Sequence, residues 1–366
     1  MASIASINTA KRLHAPQLPV SWYVDPAIYA LEQRQLFPRA ARYVGHELMV
    51  PNAGDFHVLD WMDHAKALVH NASGIELISN VCRHRQALML DGRGNTQHIV
   101  CPLHRWTYNL QGELLGAPHF AEKPCLNLSK SSLQRWNGLL FESKRDVARD
   151  LARLGCTADL DFSNYVLDRV KVDEYDFNWK TFIEVYLEDY HVGPFHPGLN
   201  QFVDCNDLSW EFGDWYSVQR VGARSMEKSG SPVYQKWQQQ VLQYSGQAPQ
   251  QGAIWLVYYP FLMVEWYPHV LVVSHLIPRG VEACTNVVEF YYPEDIALFE
   301  REFVEAHQAA YEETAVEDKE ICERMHNGRR ALFTQGMDER GPYQHPMESG
   351  LEHFHQWLRA QLEAHT

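Results

Sequence analysis

The residues best suited to do chemistry in this sequence are two pairs, each made of one cysteine and one histidine. Cys82 and His84 are separated by one residue, Cys101 and His104 by two, and sixteen residues lie between the pairs. Two thiolates and two imidazoles in two short segments indicate a bound metal. A closed zinc site is one alternative, because structural zinc also takes two cysteines and two histidines.

The order of these donors favours an iron–sulfur cluster over zinc. Zinc modules usually place both cysteines on one turn and both histidines on another, whereas here each turn carries one of each. That order suits a [2Fe–2S] cluster in which one iron binds both cysteines and the other binds both histidines, the Rieske arrangement. Gly92, Gly94 and Pro102 are typical of loops that present ligands from a small β-domain. We therefore predict these cluster ligands: Cys82, His84, Cys101 and His104.

A second candidate metal site lies a hundred residues downstream. From Asn178 the chain has the pattern of a helix as far as His191, which would put Glu184, Glu188 and His191 on one helical face. Gly193 and Pro194 then end the helix and return the chain, so that His196 comes close to His191. Such a group can hold one metal ion; the alternative is a charged surface with incidental histidines.

Together the two stretches resemble the α-subunit of the Rieske non-haem iron oxygenases, the ring-hydroxylating oxygenase family. The resemblance rests on the two cysteine–histidine pairs with Trp106 behind them, and on the block of residues 178–197, and it extends from about Trp22 to Leu358. It implies an α+β chain: an N-terminal all-β Rieske [2Fe–2S] domain, then a helix-grip (START-like) antiparallel-sheet domain with mononuclear iron. The expected divisions are an N-terminal arm with its first helix over 1–40, the Rieske domain over 41–145 and the catalytic domain over 146–366.

The resemblance also implies a mononuclear Fe(II) bound by His191, His196 and a downstream carboxylate, with coordination positions left open. Residues 316–325 are most similar to the acid-bearing late helix of the family. Within them Asp318 shares a helical face with apolar residues, whereas Glu317 is expected to face outward. Asp318 is therefore the predicted third ligand, and Glu317 is its competitor.

Glu188 occupies the position at which the family has an acid that joins the mononuclear site to a Rieske histidine of a neighbouring subunit. A carboxylate that accepts a hydrogen bond from a ligand histidine fixes the tautomer of that histidine. The resemblance thus implies a catalytic role for Glu188 in electron transfer and a homotrimer. Asp189 is the alternative bridge. The family most often has aspartate here, and glutamate occurs in members that act on quaternary amines.

The substrate pocket is expected on the strands of the second domain. Segments 209–222, 253–278 and 284–292 are typical of strands, and helices are predicted over 294–328 and 348–363. Residues 224–252, rich in Gln and Ser, are predicted to form a mobile entrance loop. The candidate pocket residues are aromatic or large apolar side chains: Phe182, Phe202, Trp255, Tyr258, Phe261, Met263 and Trp266.

Composition limits the partners and the location. A net charge of −14 argues against nucleic acids and anionic membrane surfaces. The five remaining cysteines are scattered, as expected of reduced thiols in a cytoplasmic protein. The longest apolar run, residues 255–264, contains Pro260 and is too short to span a bilayer.

The resemblance implies a terminal oxygenase component that uses O2 to hydroxylate a small organic substrate, which we expect to be aromatic. No glycine-rich dinucleotide motif follows a strand, so electrons are expected from a separate NAD(P)H-dependent reductase, with or without a ferredoxin. One alternative is a Rieske monooxygenase that cleaves or demethylates a betaine- or carnitine-like quaternary amine, held by an aromatic cage. The other is an electron carrier or redox sensor without a working second iron site.

Overall fold

The computed structural model describes residues 16–226 and 230–363 of the 366-residue chain. Small antiparallel sheets form its N-terminal half, and one large antiparallel sheet with packed helices forms its C-terminal half. The predicted α+β class is confirmed. Among the described residues, no helix is both long and apolar enough to cross a membrane.

Two helices begin the described chain, α1 (Ser21–Val24) and α2 (Pro26–Gln35). The helix predicted over 25–37 corresponds to α2. Its start follows from sequence: Pro26 fits the first helical position, and the Asp25 carboxylate accepts a hydrogen bond from the amide of Ala27 at 2.8 Å. The first fifteen residues of the predicted N-terminal arm lie outside the described residues.

Short strands connected by turns make up the N-terminal half. They pair in sheets of order β1-β11-β10, β5-β2-β3-β4-β9 and β6-β7-β8. The Arg-, Asp- and Ala-rich composition of residues 143–160 predicts a linker helix, but the structure has only a short helix, α3 (Val147–Asp150), and turns over most of that segment. The strands are β1 (Arg42–His46), β2 (Asp55–Val58), β3 (Lys66–Asn71), β4 (Gly74–Ser79), β5 (Arg93–Asn95), β6 (Ile99–Val100), β7 (Thr107–Tyr108), β8 (Leu114–Gly116), β9 (Lys130–Ser131), β10 (Gln134–Trp136) and β11 (Leu139–Glu142).

The C-terminal half is organised around one antiparallel sheet of order β12-β18-β17-β16-β15-β14-β13. Its central strands are buried along nearly their whole length because both faces are covered. Val272 on one face packs in a cluster with helical residues such as Trp237, whereas Val287 on the other packs with Val44 of β1. The strands are β12 (Tyr165–Tyr175), β13 (Val203–Gly213), β14 (Tyr216–Ala223), β15 (Gln251–Tyr258), β16 (Leu262–Tyr267), β17 (Val270–Gly280) and β18 (Ala283–Pro293).

The helices of this half provide the other walls of the site. The longest, α8, spans 34 residues and packs beside α4 and α6. Because α8 is long, its residues extend along the cavity from His307 to Asp318 of the metal site. The helices are α4 (Trp179–Val185), α5 (Val192–Phe195), α6 (Pro232–Ser245), α7 (Glu294–Phe299), α8 (Arg301–Thr334) and α9 (Ser349–Glu363).

The entrance loop predicted over 224–252 is wrong for about half of its length, because α6 occupies residues 232–245. Residues 227–229 of that segment lie outside the described residues. Ser231 caps the helix by accepting from the amide of Tyr234 at 3.2 Å, and Gly246 ends it in the left-handed conformation. Tyr234, Trp237 and Val241 recur at helical spacing and are buried, so α6 is a wall of the core.

Candidate metal centres and substrate cavity

The two cysteine–histidine loops have the same backbone design. The amide of Cys82 donates to the carbonyl of Ala87 at 2.9 Å, and the amide of Cys101 donates to that of Trp106 at 2.8 Å. The residue four positions after each cysteine, Gln86 or Arg105, is left-handed, with φ of 55° and 61°. Each loop therefore begins at its cysteine and carries its histidine at the tip.

These loops fit a cluster with one buried and one surface iron. The Cys82 and Cys101 side chains are buried, whereas His84 is half-buried and His104 is exposed, with their ring centroids 4.7 Å apart. His84 also stacks on Trp106, with centroids 5.0 Å apart, and its Nδ1 has no hydrogen-bond partner among the described residues. Two inner thiols and two outer imidazoles are the donors that a Rieske cluster requires.

The second site joins residues that are far apart in sequence. His191 lies in the turn after α4, His196 directly after α5, and Asp318 on α8. His196 Nε2 is 3.1 Å and His191 Nε2 is 3.5 Å from the same oxygen of Asp318. One donor atom from each residue lies within 4.8 Å of the others. Two imidazoles and one carboxylate in this arrangement match the facial triad of non-haem Fe(II) enzymes.

A second carboxylate lies behind each of these imidazoles. Glu188 hydrogen-bonds Nδ1 of His191, and Glu317 accepts from Nδ1 of His196 at 2.7 Å. The expectation that Glu317 faces outward is therefore wrong. With Nδ1 of each histidine held by a carboxylate, Nε2 is the ring nitrogen directed toward Asp318, and it is the nitrogen that would bind a metal.

The electrostatics of the triad also favour a bound cation. Burial lowers the pKa of His191, but Asp318 and Glu188 together raise it to about 10. Burial opposes the charged form of Asp318, yet its hydrogen bonds and ion pairs with His191 and His196 bring the pKa down to about 2. Three carboxylates around two imidazoles leave an excess of negative charge, which a divalent metal ion offsets.

Glu188 and Asp189 differ in accessibility. The Glu188 side chain is 15% exposed beside His191, whereas Asp189 is 1% exposed and burial raises its pKa to about 6. Both carboxylate oxygens of Asp189 have no hydrogen-bond partner among the described residues. This contrast favours Glu188 as the bridge to another subunit, and its bridging role remains a prediction.

Glu184 does not share a face with Glu188, because α4 ends at Val185 and the chain turns before His191. Instead, its carboxylate is buried and accepts hydrogen bonds from Tyr23, from Arg329 at 2.7 Å and from His355 at 3.0 Å. These contacts tie α4 to α1, α8 and α9. Glu184 therefore stabilises the helix that precedes the metal-site histidines.

Beside the triad lies a cavity of about 70 Å³. Three predicted pocket residues, Phe182, Phe202 and Trp255, line it, together with His191, His196, Asp318 and Glu188. Further aromatic residues in its wall were missed from sequence: Tyr175, Tyr186, Tyr234, Trp237, Tyr267 and Tyr311.

The other four predicted pocket residues do not line this cavity. Tyr258, Met263 and Trp266 pack in the main hydrophobic cluster, and Phe261 packs edge-on against Trp179 with centroids 5.1 Å apart. Trp266 is excluded by strand alternation, since its neighbour in sequence, Glu265, faces the cavity. Sequence patterns identify a buried strand but not which of its faces borders a cavity.

Glu265 is the main site residue that the sequence analysis missed. It lies in the apolar strand β16, is 1% exposed and lines the cavity. A single acid within a buried apolar strand is a signal that could have identified it, because burying an unpaired carboxylate costs free energy.

Comparison with known proteins agrees with both halves of this geometry. Residues 22–132 match the family described as Rieske [2Fe–2S] domain, and residues 161–364 match the ring hydroxylating alpha subunit (catalytic domain). The chain is 62% identical over 364 residues to a putrescine 2-hydroxylase of Ralstonia nicotianae (strain ATCC BAA-1114 / GMI1000), covering 98% of this chain and all of that protein.

Solved structures show the same fold. A quaternary ammonium Rieske monooxygenase superposes with a TM-score of 0.73 at 19% identity, covering 95% of each chain. Naphthalene 1,2-dioxygenase from Rhodococcus sp. superposes with a TM-score of 0.74 at 18% identity, covering 96% of this chain and 95% of that one. The protein thus belongs to the ring-hydroxylating oxygenase α-subunits, as a Rieske-type oxygenase with a [2Fe–2S] cluster and a mononuclear iron.

Proposed function

We propose that this protein is the terminal component of a monooxygenase that hydroxylates a carbon atom of a small aliphatic diamine of the putrescine type. The observation that carries the proposal is the 62% identity, over nearly the whole chain, to a protein named putrescine 2-hydroxylase. The aromatic substrate expected from the generic family loses its support, since similar TM-scores to an amine and an arene oxygenase show only the fold. The alternative, a monooxygenase acting on a quaternary amine, is closer to this relative in being an amine oxygenase, but the relative's name indicates hydroxylation of a diamine.

The charges around the cavity support a cationic substrate. Among the described residues that line the cavity there are the acids Asp173, Glu188, Glu265 and Asp318, but no lysine or arginine. The buried His307 has its pKa lowered to about 3 by burial and is neutral. A substrate carboxylate would find no lysine or arginine among the described lining residues, which disfavours aromatic acids and carnitine-like zwitterions.

The size of the cavity supports a small, linear substrate. Its volume is about 70 Å³ and its wall is mostly aromatic and apolar, which suits a small, narrow molecule. Putrescine has six non-hydrogen atoms. A fused aromatic ring system would require the aromatic wall to move.

In this proposal the chain's own residues position the reactants. His191, His196 and Asp318 hold the iron, and Glu188 and Glu317 fix the two imidazoles. The aromatic wall excludes water and holds the carbon chain. When bound, the iron supplies activation of O2 with electrons relayed from the cluster. Insertion of one oxygen atom into a C–H bond consumes two electrons and two protons and releases one water.

The electron route is also part of the proposal. Cys82, His84, Cys101 and His104 hold the cluster, with the imidazoles at the surface where a partner can approach. We infer that Glu188 connects His191 to a cluster histidine of a neighbouring subunit in a homotrimer, and that a separate reductase oxidises NAD(P)H.

The test is oxygen uptake with product mass spectrometry, using the iron-loaded protein, a reductase and NADH. The panel contains putrescine, cadaverine, butylamine, choline, benzoate and naphthalene. We expect a product of putrescine heavier by one oxygen atom, labelled when ¹⁸O2 is supplied. An oxygenated product from an arene alone, or formaldehyde from choline, would contradict the diamine proposal.

The electron-carrier alternative is tested by substituting His191 with Ala. We expect loss of the mononuclear iron and of turnover, with an unchanged cluster spectrum. A variant that keeps wild-type turnover would contradict the assignment of this site.

A further inference from the structure

Glu265 is a buried carboxylate in the wall of the cavity, and no lysine or arginine among the described residues pairs with it. It is the acid of the β16 sequence Leu-Met-Val-Glu-Trp-Tyr, in which its neighbours are apolar or aromatic. No lysine or arginine among the described residues lines the cavity with it. A buried carboxylate without a countercharge is rare, because desolvation disfavours its charged form.

The groups that contact Glu265 orient its carboxylate but do not neutralise it. Tyr267 donates to Oε2 at 2.7 Å, and Tyr311 donates to Oε1 at 3.0 Å. The indole of Trp255 donates to the hydroxyl of Tyr267 at 3.0 Å, which directs the tyrosine proton toward Glu265. The hydroxyl oxygens of Tyr186 and Tyr311 are 3.2 Å apart, within hydrogen-bond distance. Each carboxylate oxygen therefore accepts one hydrogen bond from a tyrosine and retains capacity for another.

The carboxylate and the metal triad border the same cavity. Tyr311 and Asp318 are seven residues apart on α8, so they lie on one helical face about two turns, or roughly 10 Å, apart. Both line the same cavity. Because Tyr311 contacts Glu265, this carboxylate lies beside a part of α8 that precedes Asp318 by two helical turns.

We propose that Glu265 binds one ammonium group of the substrate and thereby sets which carbon lies next to the iron. This inference rests on the proposed function and names the residue that selects the diamine. An ammonium ion gives the carboxylate its missing countercharge, and the rings of Trp255 and Tyr267 add cation–π attraction. A primary ammonium has N–H donors for the free acceptor positions, whereas a quaternary ammonium has none. Primary amines are therefore the preferred class.

The experiment compares Glu265→Gln with a matched variant, Glu289→Gln. Glu289 is also fully buried and accepts hydrogen bonds from Tyr43 and Tyr291, but it does not line the cavity. Putrescine binding to the iron-loaded proteins is measured by titration calorimetry. We expect Glu265→Gln to weaken binding at least thirtyfold and Glu289→Gln to change it by less than threefold. Equal binding by Glu265→Gln and the wild type would overturn the inference.

A second variant keeps the inference testable if Glu265→Gln fails to fold. Glu265→Asp retains the charge but withdraws the carboxylate by one methylene, roughly 1.5 Å. Cadaverine has one more methylene than putrescine. The ratio of cadaverine to putrescine affinity should therefore be at least fivefold higher in this variant than in the wild type. An unchanged ratio of cadaverine to putrescine affinity would contradict a contact between Glu265 and the ammonium.

The outcomes separate the inference from the proposed function. If the wild-type protein neither binds nor oxidises any amine of the panel, the proposed function fails. If the wild type oxidises putrescine and both Glu265 variants bind it unchanged, the proposed function stands and Glu265 is not the ammonium site. Comparing putrescine with its N-trimethylated analogue gives a further measure, and tighter binding of the analogue would contradict the role of N–H donors.

Discussion

Glu265 and Glu289 have almost the same chemistry on opposite faces of the large sheet. Glu265 pairs in register with Val272 and Glu289 with Val273, and successive residues of a strand face opposite sides. Each carboxylate is fully buried and accepts hydrogen bonds from two tyrosines, and burial raises the pKa of each to about 7. They differ in one local respect: the tyrosines at Glu265 donate to different oxygens, whereas those at Glu289 both donate to Oε2 and leave Oε1 without a hydrogen-bond partner among the described residues.

The larger difference is in their surroundings. The side of the large sheet that carries Glu265 is the cavity face, and the side that carries Glu289 is the domain face. Glu289 lies where the two halves of the chain meet, with Tyr43 of β1 as one donor and His275 packed edge-on against that tyrosine at 5.1 Å. Burial lowers the pKa of His275 to about 3, so its imidazole is neutral at pH 7 and supplies no positive charge near Glu289. Glu265 instead borders a cavity next to the metal triad. A buried carboxylate becomes a ligand site only where there is space for the ligand.

The largest loss of activity should follow substitution of a triad residue beside the cavity. We expect Asp318→Asn to lower the iron content from about three atoms per chain to about two, because an amide is a weak ligand for Fe(II). Turnover should fall at least about a thousandfold, as expected when a metal site is lost. Iron analysis, cluster absorbance and oxygen uptake measure these changes. The domain-face variant Glu289→Gln should keep all three irons; if it lost the mononuclear iron, the two faces would not be independent.

Glu184 is a third buried carboxylate. Unlike Glu265 and Glu289, it has a cationic partner, Arg329, among the described residues. Burial would raise its pKa, but Arg329 and His355 lower it to about 2. We expect Arg329→Met to cost about 3–5 kcal/mol in the free energy of unfolding, since it leaves a buried charge unpaired. The neighbouring Arg330 is half exposed, and Arg330→Met should cost less than about 1 kcal/mol. Denaturant unfolding measures both, and equal costs would contradict the buried ion pair.

The same pair predicts how stability depends on pH. The pKa of Glu184 is lower in the folded chain than the usual 4.5, so its contribution to stability is present above that value and is lost as pH falls toward 2. Without Arg329 the loss should begin at a higher pH. Thermal unfolding at a series of pH values measures the shift; the acid side of the wild-type and Arg329→Met profiles should differ, and coincident profiles would contradict the assignment.

How much of this could be read from sequence depended on whether the residues of a site are contiguous. The cysteine–histidine loops and the pair His191 and His196 each lie within a short segment, so their spacing alone brought them together. Asp318 comes from more than a hundred residues downstream and required both an amphipathic helix and a family resemblance.

The pocket could be predicted only in part, because the sequence does not say what covers each face of a buried sheet. Glu265 and Glu289 are both single acids in apolar strands, and nothing in their local sequence tells the cavity face from the domain face. The helix α6 was missed although Ser231, Pro232 and Gly246 are ordinary signals for its ends. The abundance of glutamine obscured the buried stripe of Tyr234 and Trp237.

A smaller effect should appear in the pH dependence of amine binding. With a pKa of about 7, Glu265 is mostly protonated at pH 6 and mostly charged at pH 8. Its neighbours Tyr267, Tyr311 and Tyr186 have raised pKa values and stay neutral, and the charge of Asp318 on α8 is offset by iron. Putrescine should therefore bind about tenfold more weakly at pH 6 than at pH 8. The Glu265→Gln variant should lose this dependence, and a wild-type affinity that is flat between these values would contradict the ammonium site.

The smallest effect compares one tryptophan on each face. Trp255→Phe removes the hydrogen bond to Tyr267 and part of the cation–π surface, which together should weaken putrescine binding by about 0.5–1 kcal/mol, or roughly two- to fivefold. Trp61 is buried on the domain face near His275, and its indole N–H has no hydrogen-bond partner among the described residues. Trp61→Phe should lower the melting temperature through lost packing and leave the amine affinity unchanged. Calorimetric titration and thermal unfolding of both variants separate the two roles. If Trp61→Phe weakened putrescine binding as much as Trp255→Phe, packing on the domain face would shape the cavity through the sheet, and the two faces would not act independently on substrate binding.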